Sequence, residues 1–272
     1  MAQWINIPKP IITREHGAWA VLLVPIAVAA SAANAISAHL VFFIFSALAV
    51  FLGYVPAQAL LRAWLEKGHD DEKLSASKFW LMIYGGMGFL FLLPLVASGY
   101  RLLLVIGAVG AGFFFGNFFL TRASGKTIAS DLFAVLGLTL TAPSTYYVAT
   151  GELNSTAVML WLLNALFFGC SVFYVHMKMT ARVLKLEPFS VRERLSIGRL
   201  NLLYHLAVIS IIVLLTALHY TPLLMVVVFL PMAVHSLYGT VKLSSRVRFK
   251  NLGFILLGHA LLFGVLLSFV KL

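Results

Sequence analysis

Charge is what this chain has least of. Only 11% of its 272 residues are charged, against 61% hydrophobic, and a soluble domain needs roughly 25% charged residues to cover its surface. A globule wrapped in water is therefore excluded. Acidic residues are scarcer still, nine against 20 Lys and Arg. The one cysteine, Cys170, lies in an apolar run, which rules out a disulfide framework and a cysteine metal site. Missing too are a Walker loop, a nucleophile elbow and a His-Glu-x-x-His metal motif. No strand is expected, so no glycine-rich dinucleotide fingerprint can follow one. The first apolar run lacks the small-residue cleavage pattern of a secretory leader and is followed by others of equal quality, so it reads as a span.

What the chain does have is apolar runs of about 20 residues, the length that crosses a hydrocarbon core of ~30 Å. They predict an all-α, polytopic bundle of about nine transmembrane helices, near 18–36, 40–61, 79–98, 102–121, 129–149, 157–176, 202–219, 221–239 and 252–270. With no linker or low-complexity tract, residues 1–272 read as a single transmembrane domain in the plasma or inner membrane, with the bilayer as partner. Of the 20 Lys and Arg, all but Arg101 and Lys271 fall in alternate connecting segments, and all the acidic residues but Glu152 lie on that same side. Cytoplasmic segments carry the Lys/Arg excess, which places the N-terminus in the cytoplasm and the C-terminus outside. That distribution accounts for the net charge of +11 and leaves no reason to invoke nucleic acid. The segments 62–78 and 177–201 are the long ones; in the second, Pro188 should end a helical extension and Ser190 with Glu193 should form a capping box. Ala108, Gly112 and Gly116, and the cluster Gly85, Gly86 and Gly88, are small residues at spacings that suit close helix packing, within the bundle or between copies.

Ionisable groups in a membrane are costly and usually face a cavity or a partner. Arg14, Glu15 and His16 enter the first span just before Gly17 and Trp19, as a basic flank or as a site. Gln58, Arg62, Glu66 and Asp70 recur every four residues along one drifting helix face. Arg62 and Glu66 suit a local ion pair, and Asp70, Asp71 and Glu72 suit either Mg²⁺ or a solvated turn. Asn117, Arg122, Lys126 and Asp131 flank spans four and five, with Asp131 in a first turn where the macrodipole favours a carboxylate. His176, Lys178 and Arg182 end span six, and nothing in helix propensity asks for the imidazole. His16, His176, His205 and His235 fall at similar depth on four helices, a pattern open to a shared transition metal or haem iron and equally to scatter around the perimeter.

The run Arg14-Glu15-His16-Gly17-Ala18-Trp19-Ala20, continuing to Pro25, resembles the opening of the YwiC-like membrane protein family. The likeness continues through Phe168-Gly169 and Val175-His176 to Arg182; the family implies a membrane protein and no assigned activity. A more distant resemblance is to the UbiA superfamily of intramembrane prenyltransferases: nine spans, N-terminus inside, the longest cytoplasmic connections after spans two and six, and Arg14, Gly17 and Pro25 in the first helix. Phe119, Arg122, Gly137 and Pro143 echo its fourth-to-fifth segment. That superfamily holds Mg²⁺ and a prenyl diphosphate on two Asp-rich motifs. Here the matching positions read Gln58-Ala59-Leu60-Leu61-Arg62-Ala63-Trp64-Leu65-Glu66 and His176-Met177-Lys178-Met179-Thr180-Ala181-Arg182. Cations in place of carboxylates repel a metal and attract an anion.

The expectation is thus a UbiA-like bundle with a cytoplasm-facing cavity. Arg14, Gln58, Arg62, Glu66, Asn117, Arg122, Lys178 and Arg182 would bind an anionic lipid or isoprenoid-type ligand, with His16 or His176 as acid/base. If a reaction follows, it is transfer of the UbiA type without the Asp-rich motifs; binding alone fits as well, and no cofactor is assigned. The alternatives are a small-anion or metabolite transporter, with Pro25, Pro56, Pro94, Pro143 and Pro231 breaking spans, and a haem- or metal-handling protein.

Overall fold

The computed structural model describes residues 8–13, 16–65, 71–184 and 188–271. Every regular element among them is a helix: α1 (His16–Ala33), α2 (Ala38–Leu65), α3 (Asp71–Ala97), α4 (Leu102–Ser124), α5 (Ile128–Thr139), α6 (Thr141–Thr150), α7 (Ser155–Leu184), α8 (Val191–Ala217), α9 (Leu224–Val241) and α10 (Phe249–Ser268). α5 and α6 meet at Leu140 and continue as one apolar segment of 23 residues, Ile128–Thr150. The interruption has a local cause. Pro143 brings no N–H to the carbonyl of Thr139 four residues back, and its ring crowds that carbonyl.

Counted this way, each of the nine predicted spans is helical. Eight are long and apolar enough to cross a membrane, and the remaining one, Gly17–Ala33, is a shorter apolar helix near the lower limit of about 17 residues. The chain is an all-α, multi-pass membrane protein. Ser190 caps α8 as expected, its hydroxyl accepting from Glu193 N while the Glu193 carboxylate accepts from the Ser190 backbone.

The chain groups into two compact units, one of Met1–Glu15 with Ile36–Leu103 and one of His16–Ala35 with Leu104–Leu272. The first is built on the α2–α3 hairpin. Ser46 donates to the Gly88 carbonyl at 3.0 Å, and His39 Nε2 meets Ser98 Oγ at 3.1 Å near the turn. The extended segment before α1 lies on α3, where Trp80 Nε1 donates to the Pro8 carbonyl at 3.1 Å.

The second unit is centred on α7, which packs against α1, α5, α6, α8 and α9. Phe167 of α7 stacks on Phe263 of α10 at 3.9 Å between centroids, with Phe229 of α9 edge-on to both. Close approach of the helices depends on four glycines: a Cβ would collide with Phe133 at Gly116, with Tyr204 at Gly169, with Thr240 at Gly198 and with Tyr174 at Gly239. The small-residue stripes singled out in the sequence contribute in part, through Gly116. At Gly88 a Cβ would press on Val50, whereas Gly85, Gly86 and Gly112 look into open space.

A polar node joins α8 to α9. Asn201 is 1% exposed, and its amide donates to Ser236 Oγ at 2.7 Å and Thr240 Oγ1 at 3.1 Å. Interhelical polar bonds in membrane bundles are worth about 0.6 kcal/mol on average and up to ~1.7. Asn201→Ala is expected to cost about 1–2 kcal/mol, because it removes a donor from two buried hydroxyls at once, Thr240 keeping its bond to the Ser236 carbonyl and Ser236 its contact with His205. Thermal unfolding in detergent checks this; an unchanged midpoint would show that the node carries no stability.

Candidate functional site

The site begins at the joint between α4 and α5. Gly125, at φ +71°, supplies the left-handed turn that reverses the chain. Thr127 then caps α5: its hydroxyl accepts from Ser130 N at 3.2 Å, and Ser130 Oγ accepts from Thr127 N at 2.9 Å. Asn117 of α4 is 6% exposed and donates to the Ser130 carbonyl at 2.7 Å. These bonds lock the first turn of α5, and with it Asp131.

The carboxylate of Asp131 points to α7, where its Oδ2 lies 2.9 Å from His176 Nε2. Both side chains are mostly covered, 20% and 16% exposed. A carboxylate only accepts, so Nε2 carries the hydrogen and a neutral ring presents Nδ1 as its lone-pair nitrogen. This is a carboxylate-oriented imidazole, able to take up or release a proton at Nδ1. Lys126 Nζ stands 4.0 Å from the other carboxylate oxygen and is 56% exposed, a loose pair worth little by itself. Asp131 was legible in the sequence only as a favourable first-turn carboxylate; its partner is 45 residues away.

The other predicted site residues separate. Lys178 is two residues past His176, about 200° around the helix, and donates to the Gly239 carbonyl at 2.9 Å with its ammonium 5.3 Å from the Tyr174 ring centroid. That carbonyl is one of the last four of α9 and lacks a helical donor. Arg182 is exposed and lies over Phe249 of α10 at 5.1 Å. Arg122 is exposed in the last turn of α4. In the first unit, Gln58 donates to Tyr54 at 2.8 Å and Arg62 is exposed. Arg14, Glu66 and Asp70 lie outside the described residues, as do the side chains of His16, Asp71 and Glu72.

The histidines divide among different neighbours. His205 Nδ1 donates to the Asn201 carbonyl at 2.8 Å, and the rings of His235 and His259 lie 4.7 Å apart. Among the described residues, no three His, Cys, Asp or Glu side chains gather as a metal site would require.

Comparison with known proteins bears on the N-terminal part of this arrangement. The family of YwiC-like proteins matches residues 12–146. Over those residues the chain is similar to that family. A relative from Bacillus subtilis (strain 168), "Uncharacterized protein YwiC", is 26% identical over 174 residues, 61% of this chain and 66% of that protein. This chain thus spans just under two thirds of the relative's length. No solved structure matches the chain. The YwiC-like match takes in Asn117, Arg122 and Asp131 and stops before α7, so His176 lies beyond it.

Proposed function

We propose that this YwiC-like membrane protein binds an anionic amphiphile, a lipid or isoprenoid-type ligand, at the cation-rich end of its second unit. His176 would be its proton-exchanging group, and Asp131 would hold the ring. The observation that supports this reading is the His176–Asp131 bond, an ionisable pair kept largely covered at the ends of two apolar segments, where such groups are functional candidates by default. Beside it, Arg122 and Lys126 offer exposed cations to an anionic head group. One and two turns back along α4, Phe119 and Phe115 are 54% and 46% exposed and suit an apolar tail. Lys178 and Arg182 are turned to α9 and α10, so the reading rests on Arg122, Lys126, Asp131 and His176. By the distribution of Lys and Arg this end faces the cytoplasm. A divergent UbiA-like transferase that works without Asp-rich motifs is the enzymatic form of the same reading.

The test is thermal unfolding of the purified full chain with farnesyl diphosphate, with and without Mg²⁺. A ligand at a hundred times its dissociation constant stabilises by about 2.7 kcal/mol, and that stabilisation is expected without Mg²⁺. Arg122→Ala with Lys126→Ala should remove it. Absence of any shift in either condition rules the reading out for isoprenoid diphosphates. A second reading, a small-anion or metabolite transporter, is favoured by the prolines inside α1, α2, α3 and α9, which free backbone groups within spans. Flux of labelled anions into proteoliposomes no faster than into empty vesicles would remove it.

A further inference from the structure

At the same end of the second unit, a cavity of about 410 Å³ is lined by Pro188, Phe189, Arg194, Leu243, Ser244 and Arg246, within the ~300–1,000 Å³ range of ligand clefts. Arg194 is its notable wall. Nη1 donates to the Val241 carbonyl at 2.8 Å, at the last turn of α9, which fixes the guanidinium in place. Nε is buried and has no hydrogen-bond partner. Among the described residues no carboxylate pairs with this arginine. The nearest in sequence, Glu193, is turned back onto the N-cap, where it accepts from Ser190 N at 2.7 Å and Ser190 Oγ at 2.8 Å. A guanidinium held in place on a cavity wall with no carboxylate partner leaves a positive charge for an incoming anion, and Arg is the side chain whose planar fork matches phosphate oxygens.

The surroundings add charge and grease. Arg246 and the Ser244 hydroxyl share the cavity wall. Arg192, Lys242 and Arg248 are exposed nearby in the chain. Val191, Leu195 and Val241 are 71%, 52% and 52% exposed on the adjoining turns of α8 and α9. A cationic cleft next to uncovered apolar side chains at the end of a membrane helix suits a group that is phosphate at one end and hydrocarbon at the other.

We infer that this cavity is a phosphate-group site anchored on Arg194, of a kind that takes the head group of an anionic phospholipid. It shares no residue with the His176–Asp131 site and does not depend on it.

The test uses the full chain in neutral detergent, titrated with dioctanoyl phosphatidylglycerol, with dioctanoyl phosphatidylcholine and with inorganic phosphate, and read by native mass spectrometry and thermal shift. Saturable binding of phosphatidylglycerol is expected, with phosphatidylcholine at least tenfold weaker because its choline meets the cation cluster. Arg194→Gln should weaken phosphatidylglycerol at least tenfold, and Arg194→Lys should fall between, keeping the charge without the fork. Phosphatidylglycerol binding that is lost in Arg194→Gln should persist in Arg122→Ala with Lys126→Ala, the variant expected to lose farnesyl diphosphate, which separates this site from the one proposed above. Phosphate binding alone, lost in Arg194→Gln, would support the site with free phosphate as its source. Equal affinity of wild type and Arg194→Gln, or equal binding of the two lipids, overturns the inference. Should Arg194→Gln fail to fold, Arg246→Gln with Ser244→Ala takes its place; a several-fold loss is expected there, and no loss overturns the inference as well.

Discussion

Asp131→Ala and His176→Ala should each lower the unfolding midpoint, and the double variant should cost little more than either alone. The two side chains make one bond, at 2.9 Å, across α5 and α7, so removing either end removes the whole interaction. The bond joins a carboxylate to an N–H in a mostly covered setting, which puts it at the upper end of interhelical polar bonds. A coupling of about 1–2 kcal/mol follows from a double-mutant cycle. Lys126→Ala, by contrast, should leave stability nearly unchanged, since its ammonium is 4.0 Å away and more than half exposed. In the farnesyl diphosphate assay, His176→Ala should retain the thermal shift if the cations alone hold the head group. Costs that simply add would mean that the His176–Asp131 bond contributes nothing.

Gly239→Val should be the most damaging single change in the bundle, at about 2–3 kcal/mol, the range for overpacking a tight contact. Its Cβ would enter the ring of Tyr174, and Tyr174 is 3% exposed with His235 edge-on beside it, so the ring has little room to yield. The same strain would disturb the carbonyl that seats Lys178. Adding Tyr174→Ala should restore part of the lost midpoint, a rescue that a change in helix propensity could not give. Gly112→Ala is the control: nothing lies within 4 Å of its would-be Cβ, so it should be neutral or gain up to about 1 kcal/mol. Equal midpoints for Gly239→Val and Gly112→Ala would mean that α7 and α9 are not packed as described.

These two cases show what the sequence could and could not reveal. The spans were readable because length and apolarity alone set them, and the α8 cap was readable because Ser190 and Glu193 are three residues apart. Helix rotation was not. A helix that is apolar on every side has no stripe pointing to its neighbours, so nothing in the chain said that His176 looks to α5 while Lys178 looks to α9. For the same reason nothing in the chain said that Gly116 and not Gly112 meets a neighbour, or that the other tight approaches are at Gly169, Gly198 and Gly239. The break at Leu140 was hidden inside a run that satisfied the length rule unbroken. Pro143 was its only trace.

The node at Asn201 has a consequence for how the protein is made. Its acceptors, Ser236 and Thr240, follow it by 35 and 39 residues. At roughly 5–20 residues per second of synthesis, the carboxamide exists for several seconds before either hydroxyl has left the ribosome. During that interval the amide has only the weak acceptor Met177 Sδ, made 24 residues earlier, and the arrival of α9 supplies the two hydroxyls. The polar satisfaction of α8 is therefore completed as a pair with α9, after both have been made.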